Sequence, residues 1–198
     1  NTGGMGAIAP VPDISEVFLN DIKRRIVWPT LGALARINST FTGLLYPGLM
    51  LTRGGPMVLE YNARFGDPET EVYMRNLKSD LFDLLMASVD RKLSEYKIEW
   101  HPGFAACVIL TGKDYPTKSS VGVPIDGIED AEEIPGVKVF HCGTRIIDGH
   151  LETNGGRVLA VTARGDSLKE VIERIYTRVD YIRFEGMHFR KDIGAKYI

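Results

Sequence analysis

The sequence lacks several features that would point to a membrane, a secreted scaffold or a nucleic acid. No apolar run approaches the roughly 20 residues of a membrane-spanning helix, and there is no signal-peptide pattern. The formal net charge of −2 gives no general attraction to nucleic acid or to an anionic membrane. The only cysteines are Cys107 and Cys142, too few for a disulfide framework or a cysteine-ligated metal cluster. We therefore expect a cytoplasmic protein without nucleic-acid or membrane partners, in which both thiols are buried and structural.

The apolar pattern indicates an α+β chain. Helical spacing predicts an amphipathic helix over 14–28, with Asp13 and Glu16 as its capping box and Pro29 as a break or kink. Ser79 is expected to cap a second helix, and Asp166 or Ser167 to start a third. Strand-like segments make up much of the rest: 42–52 and 56–62, joined by a glycine turn, then 104–112, 136–144 and 155–165.

The pattern loosens after residue 92, which suggests two α+β units in series. We expect residues 1–92 to form one unit, residues 93–100 to link the two, and residues 101–198 to form a smaller, β-rich unit. The chain begins with a glycine-rich stretch and no initiator Met, although loops of this kind normally lie between elements. We therefore expect it to be part of a longer protein.

Charge accumulates where the second predicted strand ends. The stretch PMVLEYNARFGDPE, residues 56–69, begins with apolar residues that suit a buried strand. Because alternate residues of a strand share a face, Glu60 and Asn62 point the same way, and Arg64 joins them if the strand extends that far. A carboxylate and an amide oxygen are the hard ligands that Mg²⁺ prefers, with water and substrate phosphates completing its shell. The spacing predicts a metal site at Glu60 and Asn62, for Mg²⁺ or its substitute Mn²⁺.

A solvated strand end explains Glu-x-Asn alone at least as well, because such triplets are common. The continuation RFGDPE favours a functional site, since a glycine turn keeps two more carboxylates, Asp67 and Glu69, beside the first. Arg64 carries the planar fork that holds a carboxylate or a phosphate through two hydrogen bonds.

Two further segments could bind anions. The glycines of NTGGMGA let backbone N–H groups converge on a ligand, although such loops are often only turns. Arg157 follows Gly155 and Gly156, which would let a ligand approach the backbone closely, although a hairpin with a surface arginine fits equally well.

Four stretches together carry a family resemblance: NTGGMGA, LEYNARFGDPETE, HCGTRIIDGHLETNGGRVLAVTARG and FEGMHFRKDIG. With them the chain resembles glycinamide ribonucleotide synthetases (phosphoribosylamine–glycine ligases) of the ATP-grasp superfamily. Related biotin-dependent carboxylases follow their Glu-x-Asn-x-Arg with Gln-Val-Glu-His, so the Gly-Asp-Pro-Glu of this chain favours the synthetases. The resemblance implies the later half of an ATP-grasp domain, an antiparallel sheet with helices, followed by a small β-rich C-terminal domain.

The resemblance also implies a reaction in purine biosynthesis. ATP would phosphorylate the carboxylate of glycine, and the amine of 5-phosphoribosylamine would displace phosphate from the glycyl phosphate. Mg²⁺ on Glu60 and Asn62 would offset the charge of the ATP phosphates, and Arg64 would hold glycine's carboxylate or the acyl phosphate. Asp67 and Glu69 would bind the glycine ammonium group or orient Arg64. The implied substrate-binding residues are Arg157, on a face that closes over the same cleft, and Asn1, Thr2, Gly3, Gly4, Met5 and Gly6.

The fit is incomplete in two respects. Family members are about twice as long, so the missing N-terminal portion would be a partner that supplies the adenine pocket, and the chain alone is expected to be inactive. The strand paired with Glu60 offers no carboxylate to complete a metal shell. The alternatives are another ATP-grasp carboxylate–amine ligase and a non-catalytic fragment.

Overall fold

Internal contacts divide the chain into two units that are not consecutive in sequence. The computed structural model describes residues 2–198. Unit 1 contains the residues up to Pro10, Asp67–Asn76 and His101–Ile198, whereas unit 2 contains Val11–Gly66 and Leu77–Trp100. The prediction of two consecutive domains, 1–92 and 101–198 with a linker at 93–100, stays a prediction. The internal contacts instead place residues up to Pro10 and Asp67–Asn76 with the C-terminal half of the chain.

The elements are mixed helix and antiparallel strand, as the α+β prediction requires. The strands are β1 (Gly6–Ala9), β2 (Tyr46–Thr52), β3 (Gly55–Asn62), β4 (Phe104–Thr111), β5 (Ser120–Pro124), β6 (Val137–His141), β7 (Thr144–Ile147), β8 (His150–Gly155) and β9 (Arg157–Gly165). The α-helices are α1 (Glu16–Ile22), α2 (Trp28–Arg36), α3 (Glu69–Asn76), α4 (Leu81–Val89), α5 (Ile128–Glu132) and α6 (Leu168–Val179). A π-helical turn, Lys23–Val27, joins α1 to α2, and two short 3₁₀ turns lie at Leu93–Glu95 and Ala195–Tyr197.

Unit 1 is built on a four-stranded antiparallel sheet in the order β1-β4-β9-β6. Successive side chains of β4 point to opposite faces, and both faces are covered. Ala106, Val108 and Leu110 belong to one buried cluster together with the apolar stripe of α6. Ala105, Cys107 and Ile109 belong to another with Val72 of α3. Burial on both faces explains why β4 reads as an uninterrupted apolar run.

The remaining strands of unit 1 form a three-stranded antiparallel sheet in the order β5-β8-β7. Strand β8, which is central in this sheet and its last strand in sequence, leads through Gly156 into β9. The start of β9 therefore lies where the smaller sheet ends and the larger one begins, and Arg157 is its first residue.

Unit 2 contains the predicted hairpin of β2 and β3, but that hairpin is not buried. Met50, Leu51, Met57 and Leu59 are each more than half exposed, and Pro56 is the one buried residue of β3. The prediction of a buried strand was therefore wrong. Its reason is that the hairpin forms a sheet of only two strands within the described part of unit 2.

The helical half of unit 2 differs from the prediction at its start. Ser15, rather than Asp13, caps α1 by accepting a hydrogen bond from the N–H of Phe18. The predicted break or kink at Pro29 corresponds to the π-helical turn Lys23–Val27, which interrupts the α-helix just before this proline; Pro29 itself lies in the first turn of α2. The hydroxyl of Thr30 is 2.8 Å from the phenolic oxygen of Tyr61, which connects α2 to β3.

At α4 and α6, the residue that caps the helix is one of two adjacent polar residues. Asp80, not Ser79, caps α4, and Ser79 instead accepts a hydrogen bond from the N–H of Glu99 at 2.7 Å. Ser167 caps α6, as one of the two predicted alternatives. Among the described residues, no helix is long and apolar enough to cross a membrane.

Candidate functional site

The predicted site residues fall into two groups, one in each unit. Glu60, Asn62 and Arg64 belong to unit 2. Asp67, Glu69, the glycine-rich loop from Thr2 to Gly6, and Arg157 belong to unit 1. Asn1, predicted to bind substrate, lies outside the described residues.

The end of β3 presents Glu60 and Asn62 on one face of the hairpin. The amide nitrogen of Asn62 donates a hydrogen bond to Oε1 of Glu60 across 3.0 Å, a contact that only side chains on the same face can make. Glu60 is exposed and Asn62 is half-buried, so neither group is sealed beneath other side chains. Gly48 lies opposite Glu60, and a β-carbon there would come within 3.1 Å of the glutamate Cγ. The absence of a side chain at Gly48 leaves room for the carboxylate.

This pair suits a divalent cation that keeps much of its shell for other ligands. Mg²⁺ is usually held by one or two protein oxygens, with water and phosphate oxygens in the remaining positions. Among the described residues, no cluster of three or more His, Cys, Asp or Glu side chains could hold a metal. The ligands that this pair offers are the carboxylate of Glu60 and, once the amide turns, the side-chain oxygen of Asn62.

Arg64 is not part of the strand. β3 ends at Asn62, so the condition under which Arg64 would share a face with Glu60 and Asn62 is not met. Its Nη1 donates a 2.9 Å hydrogen bond to the carbonyl of Phe65, and the side chain is exposed. Among the described residues, this is the one hydrogen bond of the guanidinium, and it leaves four of its five N–H groups outside that bond.

In unit 1, Arg157 holds the turn that carries Asp67. Its Nη1 donates to the carbonyl of Asp67 at 2.7 Å and lies 2.7 Å from Oδ1, while Nη2 donates to Oδ2 at 2.9 Å. The two residues are 90 positions apart in sequence. The planar guanidinium thus binds both carboxylate oxygens of Asp67 and also its backbone carbonyl. Arginine is well suited to such bidentate binding. Asp67 therefore acts as the partner of Arg157, a role that the sequence did not indicate.

The glycine-rich loop packs against the same guanidinium. Gly4 adopts φ +73°, a backbone conformation that glycine tolerates best. A β-carbon on Gly4 would lie 2.8 Å from Nη1 of Arg157. Gly6 has no room for a side chain either, because a β-carbon would lie 2.6 Å from the carbonyl oxygen of Cys107. The structure thus brings together two features predicted separately, the loop and Arg157.

Three carboxylates follow one another at the start of α3. Asp67 precedes the helix, while Glu69 and Glu71 lie in its first turn. Burial raises the pKa of Glu71, and the charges of Asp67 and Glu69 raise it further. Its Oε2 is buried without a hydrogen-bond partner among the described residues. Sequence reasoning gave Glu71 no role, although its place one turn after Asp67 could have indicated one.

Cys142 approaches the same carboxylate. Its Sγ donates to Oε1 of Glu71 across 4.0 Å. The residue is exposed, so the prediction of a buried structural thiol was wrong for Cys142, whereas Cys107 is buried in the sheet as expected. Partial burial of the sulfur nevertheless raises the pKa of Cys142 to about 12. The reason for the error is that the apolar run of β6 ends at His141, one residue before this cysteine.

Comparison with known families gives two matches that together cover most of the chain. Residues 1–70 match the ATP-grasp (A) domain of phosphoribosylglycinamide synthetase, and residues 105–196 match the C domain of the same synthetase. The chain is also 46% identical over 194 residues to a phosphoribosylamine–glycine ligase of Clostridium acetobutylicum. That alignment covers 98% of this chain but 46% of the relative, so the chain spans about half the length of the curated relatives it matches.

Solved structures agree with these matches. A crystal structure of phosphoribosylamine–glycine ligase from Thermotoga maritima has a TM-score of 0.81 and 34% identity, and the match covers 97% of this chain and 46% of that one. The biotin carboxylase domain of 2-oxoglutarate carboxylase from Hydrogenobacter thermophilus, solved with MgADP and bicarbonate, has a TM-score of 0.59. It is 12% identical, covering 98% of this chain and 46% of that one, and therefore shows a shared fold alone.

Proposed function

Because this chain belongs to the phosphoribosylglycinamide synthetase family, we propose that it takes part in the ATP-dependent joining of glycine to 5-phosphoribosylamine, a step of purine biosynthesis. The product would be glycinamide ribonucleotide, released together with ADP and phosphate. The observation that carries the proposal is the pairing of Glu60 with Asn62 on one exposed face of β3. It provides two oxygen ligands of the kind that Mg²⁺ takes beside the phosphates of ATP, within the stretch LEYNARFGDPETE that carries the family resemblance.

In this proposal the cation is held by Glu60 and Asn62. When bound, Mg²⁺ would neutralise negative charge on the phosphate oxygens of ATP. The strand places both side chains on one face, and the amide of Asn62, which now donates to Glu60, would turn its oxygen toward the cation.

Two bond exchanges make up the proposed reaction. A carboxylate oxygen of glycine attacks the γ-phosphorus of ATP and ADP leaves, which gives glycyl phosphate. The amine nitrogen of phosphoribosylamine then attacks the carbonyl carbon, phosphate leaves, and the nitrogen loses a proton. Arg64 is suited to the anionic partner of either step, because its single tether to the carbonyl of Phe65 leaves most of its donors available.

The unit 1 group has a different task in the proposal. The contact of Arg157 with Asp67 fixes the turn that follows the RFG segment, and the glycine loop lies against the same arginine. We assign Asp67 to positioning Arg157, and Glu69, at the start of α3, to the ammonium group of glycine. Thr2, Gly3, Gly4, Met5 and Gly6 would contact phosphoribosylamine through the loop backbone.

The partner in this proposal is the portion that relatives have and this chain does not match. It would supply the rest of the nucleotide site, so the 198-residue chain assayed alone should release no ADP. A protein carrying this chain and that portion should release ADP only when glycine and phosphoribosylamine are both supplied with Mg²⁺–ATP. Mn²⁺ is expected to replace Mg²⁺.

The experiment compares acids and amines as partners of ATP in that longer protein. Formation of glycinamide ribonucleotide, detected by mass spectrometry, with no ADP released when bicarbonate replaces glycine, supports the proposal. ADP release with a different acid or amine would identify another ATP-grasp ligase instead. Turnover by the isolated chain would contradict the division of the site between two portions.

A further inference from the structure

The edge of the larger sheet of unit 1 carries basic side chains that the proposed function does not use. Arg164, near the end of β9, pairs with Ala105 of β4, which belongs to the buried cluster that includes Val72 of α3. Side chains directly opposite each other in an antiparallel pair share a face, so Arg164 lies on the face that α3 covers. Lys138 of the edge strand β6 pairs with Thr162, two residues before Arg164, and therefore lies on that face as well.

Arg75, in the last turn of α3, reaches the same edge of the sheet. Its Nη2 donates a 2.8 Å hydrogen bond to the carbonyl of Gly136, the residue before β6. That carbonyl also accepts a hydrogen bond from the backbone N–H of Arg164 at 3.1 Å, so the two arginines meet at one oxygen atom. We refer to Arg75, Lys138 and Arg164 as the basic cluster.

One carboxylate compensates the charge of the basic cluster only in part. Burial lowers the pKa of Arg75, and the positive charge of Arg164 lowers it further, whereas the charge of Glu132 on α5 acts in the opposite direction. Glu132 is already engaged through both oxygens. Its Oε2 lies 2.7 Å from Nζ of Lys138, and its Oε1 accepts a hydrogen bond from the N–H of Val139 at 2.7 Å. Three cations facing this carboxylate leave two positive charges uncompensated.

The two arginines also have donors without partners. Among the described residues, the guanidinium of Arg164 makes no hydrogen bond or ion pair, and the Nε atoms of both Arg75 and Arg164 are buried without a partner. Both side chains are half-buried, so water replaces these lost contacts only in part. A buried donor left unpaired costs free energy, and two neighbouring cations add their repulsion. An anion between them would relieve both.

We infer that the basic cluster binds a phosphate group, either as inorganic phosphate or as the monoester end of a small molecule. A phosphate group carries close to two negative charges at pH 7, which matches the two uncompensated charges of the cluster. Its oxygens suit the planar fork of an arginine, which can donate to two of them at once. The donors outside any hydrogen bond of the described residues are Nη1 of Arg75 and both Nη atoms of Arg164.

The basic cluster lies away from the contact between Arg157 and Asp67. Arg157 begins β9 and Arg164 is next to its last residue, which separates them by roughly 20 Å at the rise of a strand. Asp67 precedes α3, whereas Arg75 lies in the last turn of that helix. A phosphate bound by the cluster is therefore not a reactant of the proposed ligation, and its binding does not depend on that function.

The test follows the arginine Nε–H signals of the protein by NMR while inorganic phosphate is added at constant ionic strength. The signals of Arg75 and Arg164, assigned by their loss in Arg75→Gln and Arg164→Gln, should shift and saturate together. The signal of Arg183, an exposed arginine beyond the C-terminal end of α6, should stay in place, because that helix leads away from Arg164. Nitrate, which carries one charge, should move none of them. Methyl phosphate, titrated in the same way, identifies the source of the ligand: the monoester if it binds more tightly than inorganic phosphate, and free phosphate if it does not.

Substitutions of Arg164 show whether the affinity depends on the cluster. Arg164→Gln should weaken phosphate binding, followed through the Arg75 signal, about tenfold or more, because it removes charge-assisted hydrogen bonds. Arg164→Lys keeps the charge but not the planar fork and should show an intermediate loss. Arg183→Gln is the matched control: it removes one exposed guanidinium from the same unit and should change the affinity less than twofold.

Each result decides for or against the site. Phosphate that leaves the signals of Arg75 and Arg164 in place, or that moves the Arg183 signal equally, would overturn it. An unchanged affinity in Arg164→Gln would do the same. Should Arg164→Gln fail to fold, Arg164→Lys decides, since its affinity for phosphate either falls or does not.

Discussion

The contact between Arg157 and Asp67 gives the sharpest prediction about the unit 1 group. Arg157→Gln removes both donors to the Asp67 carboxylate and the one to its carbonyl. A hydrogen bond to a charged group contributes about 1.5–3 kcal/mol when well buried. The Asp67 side chain is 47% exposed, so water screens its ion pair with Arg157. We therefore assign the carboxylate contact about 0.5 kcal/mol, within the roughly 0–1 kcal/mol of surface pairs. Adding about 1 kcal/mol for the carbonyl contact gives about 1.5 kcal/mol in all.

That free energy should appear as faster local opening of the turn. A loss of about 1.4 kcal/mol raises an equilibrium constant tenfold, so amide hydrogen exchange in peptides spanning 66–72 should speed up about tenfold. Asp67→Asn should have a smaller effect, because the carbonyl contact survives. Hydrogen exchange followed by mass spectrometry measures both variants against the wild type.

Arg145→Gln is the matched control for this experiment. Arg145 contacts Glu152 through one nitrogen at 3.2 Å, in the β7–β8 hairpin of the same unit, without a contact to Asp67. It should leave exchange in 66–72 unchanged. The reasoning would be refuted if Arg157→Gln left that exchange within twofold of the wild type, or if Arg145→Gln accelerated it equally.

Three further predictions concern neighbours of this contact. Burial raises the pKa of Glu71, so the folded state binds a proton more tightly than the unfolded state, and stability falls as the pH rises above the usual value of 4.5. Glu71→Gln should therefore raise the urea midpoint at pH 7.5 and bring little gain at pH 4. No gain at pH 7.5 would contradict this. Gly4→Ala should lower the melting temperature, because of its φ of +73° and the contact with Arg157, whereas Gly3→Ala, with nothing within 4 Å of its β-carbon, should not; equal effects would count against the loop geometry. With its pKa at about 12, Cys142 should react with iodoacetamide far more slowly than glutathione at pH 7.5, and equal rates would show that its sulfur is solvated.

Local sequence patterns predicted the elements that depend on near neighbours. The spacing of Glu60 and Asn62 correctly placed them on one face, because side-chain alternation in a strand is a property of the backbone itself. The start of α6 was also predicted, with Ser167 as one of two alternatives, since capping depends on residues next to the helix. The hairpin turn between β2 and β3 followed from its glycines in the same way.

Features that join distant parts of the chain could not be predicted from such patterns. The strand β1 pairs with β4, a hundred residues later, and no local signal specifies that partner. The same holds for Arg157 and Asp67, which are 90 positions apart. Adjacent polar residues also compete for one cap position, and at α4 the cap is Asp80 rather than Ser79. Exposure of the hairpin depends on what packs against it, which its alternating pattern does not reveal.

The most direct test of the account measures the Mg²⁺ dependence of ligation in the longer protein that carries this chain. Glu60→Ala should lower kcat by about two orders of magnitude or more, the scale of losing one key electrostatic stabiliser, and excess Mg²⁺ should not restore it. Glu95→Gln, which removes an exposed carboxylate elsewhere in unit 2, should behave as the wild type. A near wild-type rate for Glu60→Ala at saturating Mg²⁺ would contradict the assignment of the metal to the end of β3.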